Sequence, residues 1–232
     1  MKQRVSVVIT DLDNTLFDWV HVWHQSFKAM LERVAADSGI AEAVLESEFR
    51  NVFRRHGTSE YAFAIEELPS LQAKYPNQKL NETFAEAIHV YNSARKANLC
   101  LYPSVFSTLE NVKDKGCLII GYTESMAYYS NTRMKRLGLD RILDYLYSPE
   151  DHELPVGISK DQLRRYSPEH YALRRTIPRH TPTGERKPNP AVLKDIVYSV
   201  GGALDESIYI GDNLLKDITM AQAMPLTDVW AK

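Results

Sequence analysis

The chain has 232 residues, of which 44% are hydrophobic and 25% charged, a balance that suits a folded globular protein and argues against intrinsic disorder. Lys plus Arg number 28 and Asp plus Glu 30, and the net charge of −2 argues against a globally basic nucleic-acid binder. No run approaches the roughly 18 apolar residues of a membrane-spanning helix, no signal peptide is visible, and two cysteines, Cys100 and Cys117, are too few for a disulfide scaffold or a thiolate metal site.

Val5-Ser6-Val7-Val8-Ile9 reads as a short buried strand, ending at the polar cluster Thr10-Asp11-Leu12-Asp13-Asn14-Thr15. A mostly helical block follows to about Ala97. Trp19, Trp23, Phe27, Met30 and Val34 recur at spacings of three and four, the mark of one amphipathic face. A second helix runs through Val44, Phe49, Val52 and Phe53 to Gly57. A third is expected from about Ser59, with Pro69 breaking or ending it, and a fourth from Asn81 to Ala97.

Beyond Tyr102-Pro103-Ser104 helices and strands alternate. Ser104 is expected to cap a helix that runs to Lys115 and stops at Gly116. Strands are expected at Cys117–Tyr122, Tyr145–Tyr147, Ser207–Ile210 and Thr227–Trp230, with helices at 126–137, 189–200 and 214–223. This alternation predicts an α/β fold, a Rossmann-like parallel sheet with helices on both faces. The helical block is too long for one crossover and is expected to be a separate cap domain. The expected division is a core of 1–16 and 104–232, a helical cap at 17–103, and a basic insertion at 148–186 within the core.

Ligands in such sheets sit beyond the carboxyl ends of the strands. There the sequence offers Asp11 and Asp13 after the first strand, Thr123-Glu124-Ser125 after the second, and Gly211-Asp212-Asn213 with Asp217 after the fourth. Arg186-Lys187-Pro188 precedes a helix on the same edge. Crowded carboxylates repel one another unless a cation intervenes, and hard oxygen donors suit Mg²⁺.

Strand-Asp11-Leu12-Asp13-Asn14-Thr15, strand-Thr123, Lys187-Pro188 and Gly211-Asp212 with Asp217 stand in the order of four motifs. In these the sequence resembles the haloacid dehalogenase (HAD) superfamily, in its phosphatase branch with a helical cap after the first motif, phosphoglycolate phosphatase-like. The resemblance implies a nucleophilic Asp11 that forms an aspartyl phosphate, and Asp13 as general acid and base. It implies Mg²⁺ held by Asp11, the backbone carbonyl of Asp13 and Asp212, with Thr15, Asn213 and Asp217 in support. Thr123 and Lys187 would hold and neutralise the phosphoryl group. Dehalogenases of the superfamily lack the second aspartate of the first motif, so Asp13 favours a leaving oxygen that must be protonated.

Two features depart from the common pattern. Glu124 follows Thr123 where many relatives carry Asn or Ser, and a carboxylate beside a phosphate must point away or meet a basic group of the substrate, so Glu124 is expected among the substrate-binding residues. The basic insertion carries Arg164-Arg165 and Arg174-Arg175 around Tyr166, His170 and Tyr171, a composition suited to anionic or ring-bearing groups. Part of this insertion, with Arg174 and Arg175, is therefore expected to line the substrate entrance or to contact the cap. The leading expectation is a cytoplasmic Mg²⁺-dependent phosphomonoesterase, monomer or homodimer, acting on a small phosphorylated metabolite. The alternatives are a nucleotide or nucleic-acid-end phosphatase, or a non-catalytic binding protein with the same fold.

Overall fold

A computed structural model describes residues 4–151 and 167–232. Its central feature is a six-stranded, wholly parallel sheet of β1 (Val7–Thr10), β2 (Leu118–Tyr122), β3 (Tyr145–Ser148), β4 (Ile177–His180), β5 (Ser207–Gly211) and β6 (Thr227–Trp230). The spatial order is β4-β3-β2-β1-β5-β6. Val7 pairs with Leu118 on one side and Ser207 on the other, so the carboxyl ends of β1, β2 and β5 emerge side by side.

Both faces of this sheet are covered, which is why its strands read as unbroken apolar runs. Val7, Ile9, Ile120, Tyr122 and Tyr209 pack on one face against α9 (Pro190–Ser199) and α10 (Thr219–Gln222), through Leu193, Ile196, Val197 and Met220. The alternate residues Val8, Ile119 and Leu146 point the other way and are equally buried, as are Leu109 of α6 (Val105–Asp114) and Met134 of α7 (Ala127–Arg136). Each large apolar side chain buried in this way contributes about 1.5–3 kcal/mol. Asn189 starts α9, accepting hydrogen bonds from the N–H groups of Ala191 and Val192, with Pro190 in the first helical position.

The chain divides into two compact units, Met1–Asp18 with Cys100–Lys232, and Trp19–Leu99. The second is helical: α1 (Trp19–Ser38), α2 (Glu42–His56), α3 (Pro69–Lys74), α4 (Leu80–Thr83) and α5 (Ala85–Asn98). It encloses a core of its own, including Val34, Leu45, Phe49, Leu68, Leu71 and Phe84. In α1 the fully buried stripe is Val22, Ser26, Met30 and Val34. The aromatic stripe of Trp19, Trp23 and Phe27 flanks it, the rings stacked in series with centroids 6.2 and 5.2 Å apart.

Several sequence expectations need correction. Pro69 opens α3 instead of closing a helix, because its missing N–H falls in the first turn, where no intrahelical partner exists. The segment from Ser59 is a bend leading to a short 3₁₀ turn at Ala64–Glu67. The expected 81–97 helix is broken at Phe84 into α4 and α5. Ser104 precedes α6, but at φ 66° its side chain caps nothing. The range 148–186 contains a short helix, α8 (Pro168–Tyr171), and β4, an exposed edge strand that the sequence pattern did not reveal. Its four exposed residues, Ile-Pro-Arg-His, carry no alternation of apolar and polar side chains, and pairing with β3 makes them a strand. Arg164, Arg165 and Tyr166 lie outside the described residues.

Candidate active site

The chain leaves β1 in a tight turn. The N–H groups of Thr15 and Leu16 return to the Leu12 carbonyl, that of Asn14 bonds the Phe17 carbonyl, and Asn14 takes a left-handed conformation that asparagine tolerates. The turn sets Asp11 and Asp13 on the carboxyl edge of the sheet, in different surroundings.

Asp11 is buried. Its Oδ1 lies 2.6 Å from Lys187 Nζ, and its Oδ2 accepts from the Thr15 hydroxyl at 3.1 Å. Lys187 Nζ also reaches Asp217 Oδ1 at 2.9 Å, and it sits 4.7 and 5.6 Å from the ring centres of Tyr122 and Tyr209. The Tyr209 hydroxyl donates to the same Asp217 oxygen at 2.7 Å, and the Asn213 N–H to the other at 3.2 Å. Burial pushes the Asp11 carboxyl up to about 7; Lys187 pulls it down, but Asp217 and Asp13 push it up. Burial works against the Lys187 ammonium form, yet Asp11, Tyr209 and Asp217 outweigh it and hold its pKa well above the ordinary range. Asp212 is raised as well, first by burial and then by Asp217.

Asp13 faces another set. Its Oδ1 is paired with the Arg133 guanidinium at 3.0 Å, and its Oδ2 accepts from Ser125 Oγ at 2.6 Å and from Thr123 Oγ1 at 3.3 Å. The Thr123 N–H is tied to the Tyr147 carbonyl, which fixes Thr123 at the end of β2. Glu124 is spoken for: its carboxylate accepts the Lys187 backbone N–H at 3.1 Å and the Lys216 ammonium. Glu124 thus tethers the loop that delivers Lys187 to Asp11, and Lys216 neutralises its charge.

One oxygen from each of Asp11, Asp212 and Asp217 falls within a 4.8 Å cluster. Three carboxylates beside the single ammonium of Lys187 among the described residues, two of them raised by burial and mutual repulsion, are a donor set of hard oxygens that fits Mg²⁺. The Thr15 hydroxyl lies between Asp11 and Asp212, 3.4 Å from the latter. The Asn213 side chain is turned away, accepting from the N–H groups of Leu215 and Lys216.

Arg174 and Arg175 are not brought to this edge. They immediately precede β4, so in a parallel sheet they lie by its amino end, opposite the carboxyl end where Asp11, Thr123 and Asp212 gather. Their exposed side chains leave the backbone N–H groups to bind the Asp140 carboxylate at 2.9–3.2 Å. Burial pushes Asp140 up, but the N–H groups of Arg174, Thr176 and Arg175 outweigh it and hold it below its ordinary range. Their backbone is thus held at Asp140, by the amino end of the sheet, and not beside the carboxylates where a substrate entrance was expected. Ser125, Arg133, Tyr209 and Lys216 also join the site, in roles that the sequence alone does not reveal. The only sequence signal for Arg133 is its place three residues after Ser130 on the buried face of α7. A cavity of about 490 Å³ opens in the helical unit beside Trp23, Phe27 and Phe53, and none of these carboxylates lines it.

The model of the haloacid dehalogenase-like hydrolases matches residues 5–224, and the chain belongs to that family; it is a hydrolase. A curated relative, the glyceraldehyde 3-phosphate phosphatase of Methanopyrus kandleri, is 24% identical over 229 residues, covering 97% of this chain and 83% of its own. Among solved structures, a HAD-hydrolase of Bacillus subtilis bound to magnesium aligns with a TM-score of 0.56 at 15% identity, covering 98% of this chain and 88% of that one. A HAD phosphatase of Thermococcus onnurineus aligns with a TM-score of 0.55 at 17% identity, covering 97% and 86%. At these identities the structures share the fold. No helix among the described residues is long and apolar enough to cross a membrane.

Proposed function

We propose that the enzyme is a Mg²⁺-dependent phosphomonoesterase that works through an aspartyl phosphate on a small phosphorylated metabolite. The observation that carries this reading is the separation of two aspartates at one strand end: Asp11 is set against Lys187, and Asp13 against Arg133, Ser125 and Thr123. A nucleophile and a proton carrier need such different environments.

In the first step an Asp11 carboxylate oxygen attacks phosphorus, the bond to the leaving oxygen breaks, and Asp13 gives that oxygen a proton. In the second, Asp13 takes a proton from water, the water oxygen attacks phosphorus, and the Asp11–phosphorus bond breaks to release phosphate. Thr123 and Lys187, set beside Asp13 and Asp11, would hold the phosphoryl oxygens and offset their charge, the main requirement of phosphoryl transfer. Asp11, Asp212 and the Asp13 carbonyl would hold Mg²⁺, with Asp217 and Thr15 fixing those carboxylates. When bound, the ion neutralises charge on the phosphoryl group and the carboxylates.

The relative's activity makes triose phosphates the first compounds to try. For a nucleotide or nucleic-acid-end phosphatase, Arg174 and Arg175 supply no contact beside these carboxylates, since they lie by the amino end of β4. Purified protein with Mg²⁺ should release phosphate from some members of a panel of sugar, triose and glycolate phosphates. Chelator should abolish release, added Mg²⁺ restore it and Ca²⁺ inhibit it, because the larger ion prefers looser coordination. Asp11→Asn should lower turnover at least about 10³-fold. Near-normal turnover in that variant, or full activity in excess chelator, would overturn the reading.

A further inference from the structure

Arg133 is a buried cation that the mechanism above leaves without a task. Its side chain is 7% exposed, and the guanidinium carbon lies 6.0 Å from the ring centre of fully buried Phe17. One guanidinium nitrogen donates both to Asp13 Oδ1 at 3.0 Å and to Ser125 Oγ at 2.9 Å, while Ser125 Oγ donates to Asp13 Oδ2 at 2.6 Å. The Asp13 carboxylate is thus gripped at both oxygens through a closed ring of three side chains. The ring is itself anchored: the Ser125 N–H donates to Thr123 Oγ1 at 3.0 Å, and the Ser125 carbonyl accepts from Ser130 Oγ at 2.8 Å.

We propose that Arg133, acting with Ser125, is a positioning residue that fixes the orientation of the Asp13 carboxylate from which the leaving oxygen is served. The inference rests on the phosphatase reading and deepens it. A buried ion pair is a poor source of net stability, since desolvation offsets most of its attraction. What this one supplies is direction. A carboxylate two residues from the nucleophile, on a short turn, otherwise has rotamers that point elsewhere, and a misplaced acid forfeits much of the benefit of general acid catalysis. Substrates whose leaving oxygen is a poor one depend on that proton; activated aryl phosphates do not.

The test compares kcat/KM for para-nitrophenyl phosphate and for glycerol phosphate in wild type, Arg133→Met, Arg133→Lys and Ser125→Ala. This ratio reports the steps through departure of the leaving group, so slow hydrolysis of the phosphoenzyme does not mask the effect. For Arg133→Met a loss of about 10–100-fold is expected on glycerol phosphate, part of what general acid catalysis is worth, with the aryl phosphate changed by less than about threefold. Arg133→Lys should recover part of the loss. In an Asp13→Asn background, Arg133→Met should cause no further loss, because its partner's function is already gone. Ser125→Ala keeps the charges paired, and it should show the same substrate-selective loss in smaller measure even if Arg133→Met fails to fold. Equal losses on both substrates, or none on either, would overturn the role of Arg133 and leave the phosphatase reading standing. A wild type that releases phosphate from neither substrate nor from the metabolite panel would overturn both.

Discussion

Lys187 is the residue on which the buried charge of the site depends. Its ammonium group meets Asp11 and Asp217, both themselves buried, and among the described residues the Tyr209 hydroxyl, the Thr15 hydroxyl and one backbone N–H also serve those carboxylates. Lys187→Met would leave two buried carboxylates without their cation, a loss of about 3–5 kcal/mol for a broken buried pair. The metal-free protein should therefore melt roughly 10 °C lower, with turnover down about a hundredfold or more. A calorimetric scan with an unchanged midpoint would refute the account. Tyr209→Phe removes one hydrogen bond to Asp217 and should lower stability by only about 1–2 kcal/mol. At this scale the sequence was legible where a side chain belongs to a short local motif, after a strand as with Asp11, Asp13 and Thr123, or before a helix as with Lys187. It was silent about Arg133 and Lys216, whose partners Asp13 and Glu124 are distant in sequence and are chosen only when the helix or loop docks.

The end of β5 approaches the segment behind it so closely that only glycine fits. A Cβ on Gly211 would stand 2.5 Å from Asp217 Cβ and Cγ, which belong to a firmly held side chain. Gly211→Ala must push Asp217 away and loosen its grip on Lys187, so we expect about 1–3 kcal/mol of destabilisation and at least a tenfold loss of turnover. Gly121 is the comparison. There a Cβ would meet the methyl ends of Leu143, Leu12 and Leu146 at 2.8–3.0 Å, which can shift. Gly121→Ala should destabilise by a similar amount while sparing turnover far more. Chemical denaturation and steady-state rates on the two variants separate these outcomes; equal losses of turnover would show that Asp217 is not the point of contact. The central strands were readable because both of their faces are buried. β4 was not, since an exposed edge strand owes its form to its neighbour.

For the molecule as a whole, the acidic cluster couples folding to pH and to metal. The Asp11 carboxyl moves from 3.8 to about 7, so between those values the folded state keeps a proton that the unfolded chain releases. Its contribution is fully present below the unfolded value and is lost as pH rises to about 7, which makes the metal-free protein less stable across that window. Asp212 is shifted in the same direction. A cation held by these carboxylates competes with the proton, so Mg²⁺ should raise the melting temperature more at pH 8 than at pH 5.5. Asp11→Asn should flatten the pH dependence of the metal-free protein and reduce the Mg²⁺ effect. Melting curves with and without chelator at the two pH values decide it, and a larger Mg²⁺ effect at the lower pH would sink the linkage.

By itself the sequence determined the kind of fold and the acidic, strand-end chemistry. Unbroken apolar runs and amphipathic runs of period 3.6 are local signals, and Asp11, Asp13, Thr123 and Asp212 each lie within three residues of a strand's end. Tertiary structure alone decided which groups meet. Arg133 reaches Asp13 because the rotation of α7 buries Ser130, Arg133 and Met134 together. Lys216 meets Glu124 because β2 and β5 flank β1 on opposite sides and both release their loops on the same edge. Arg174 and Arg175 left the site because the chain passes them on its way into β4, whose parallel pairing with β3 sets them by the sheet's amino end. Contacts of that kind follow from the register and phase of packed elements, which residue spacing along the chain does not encode.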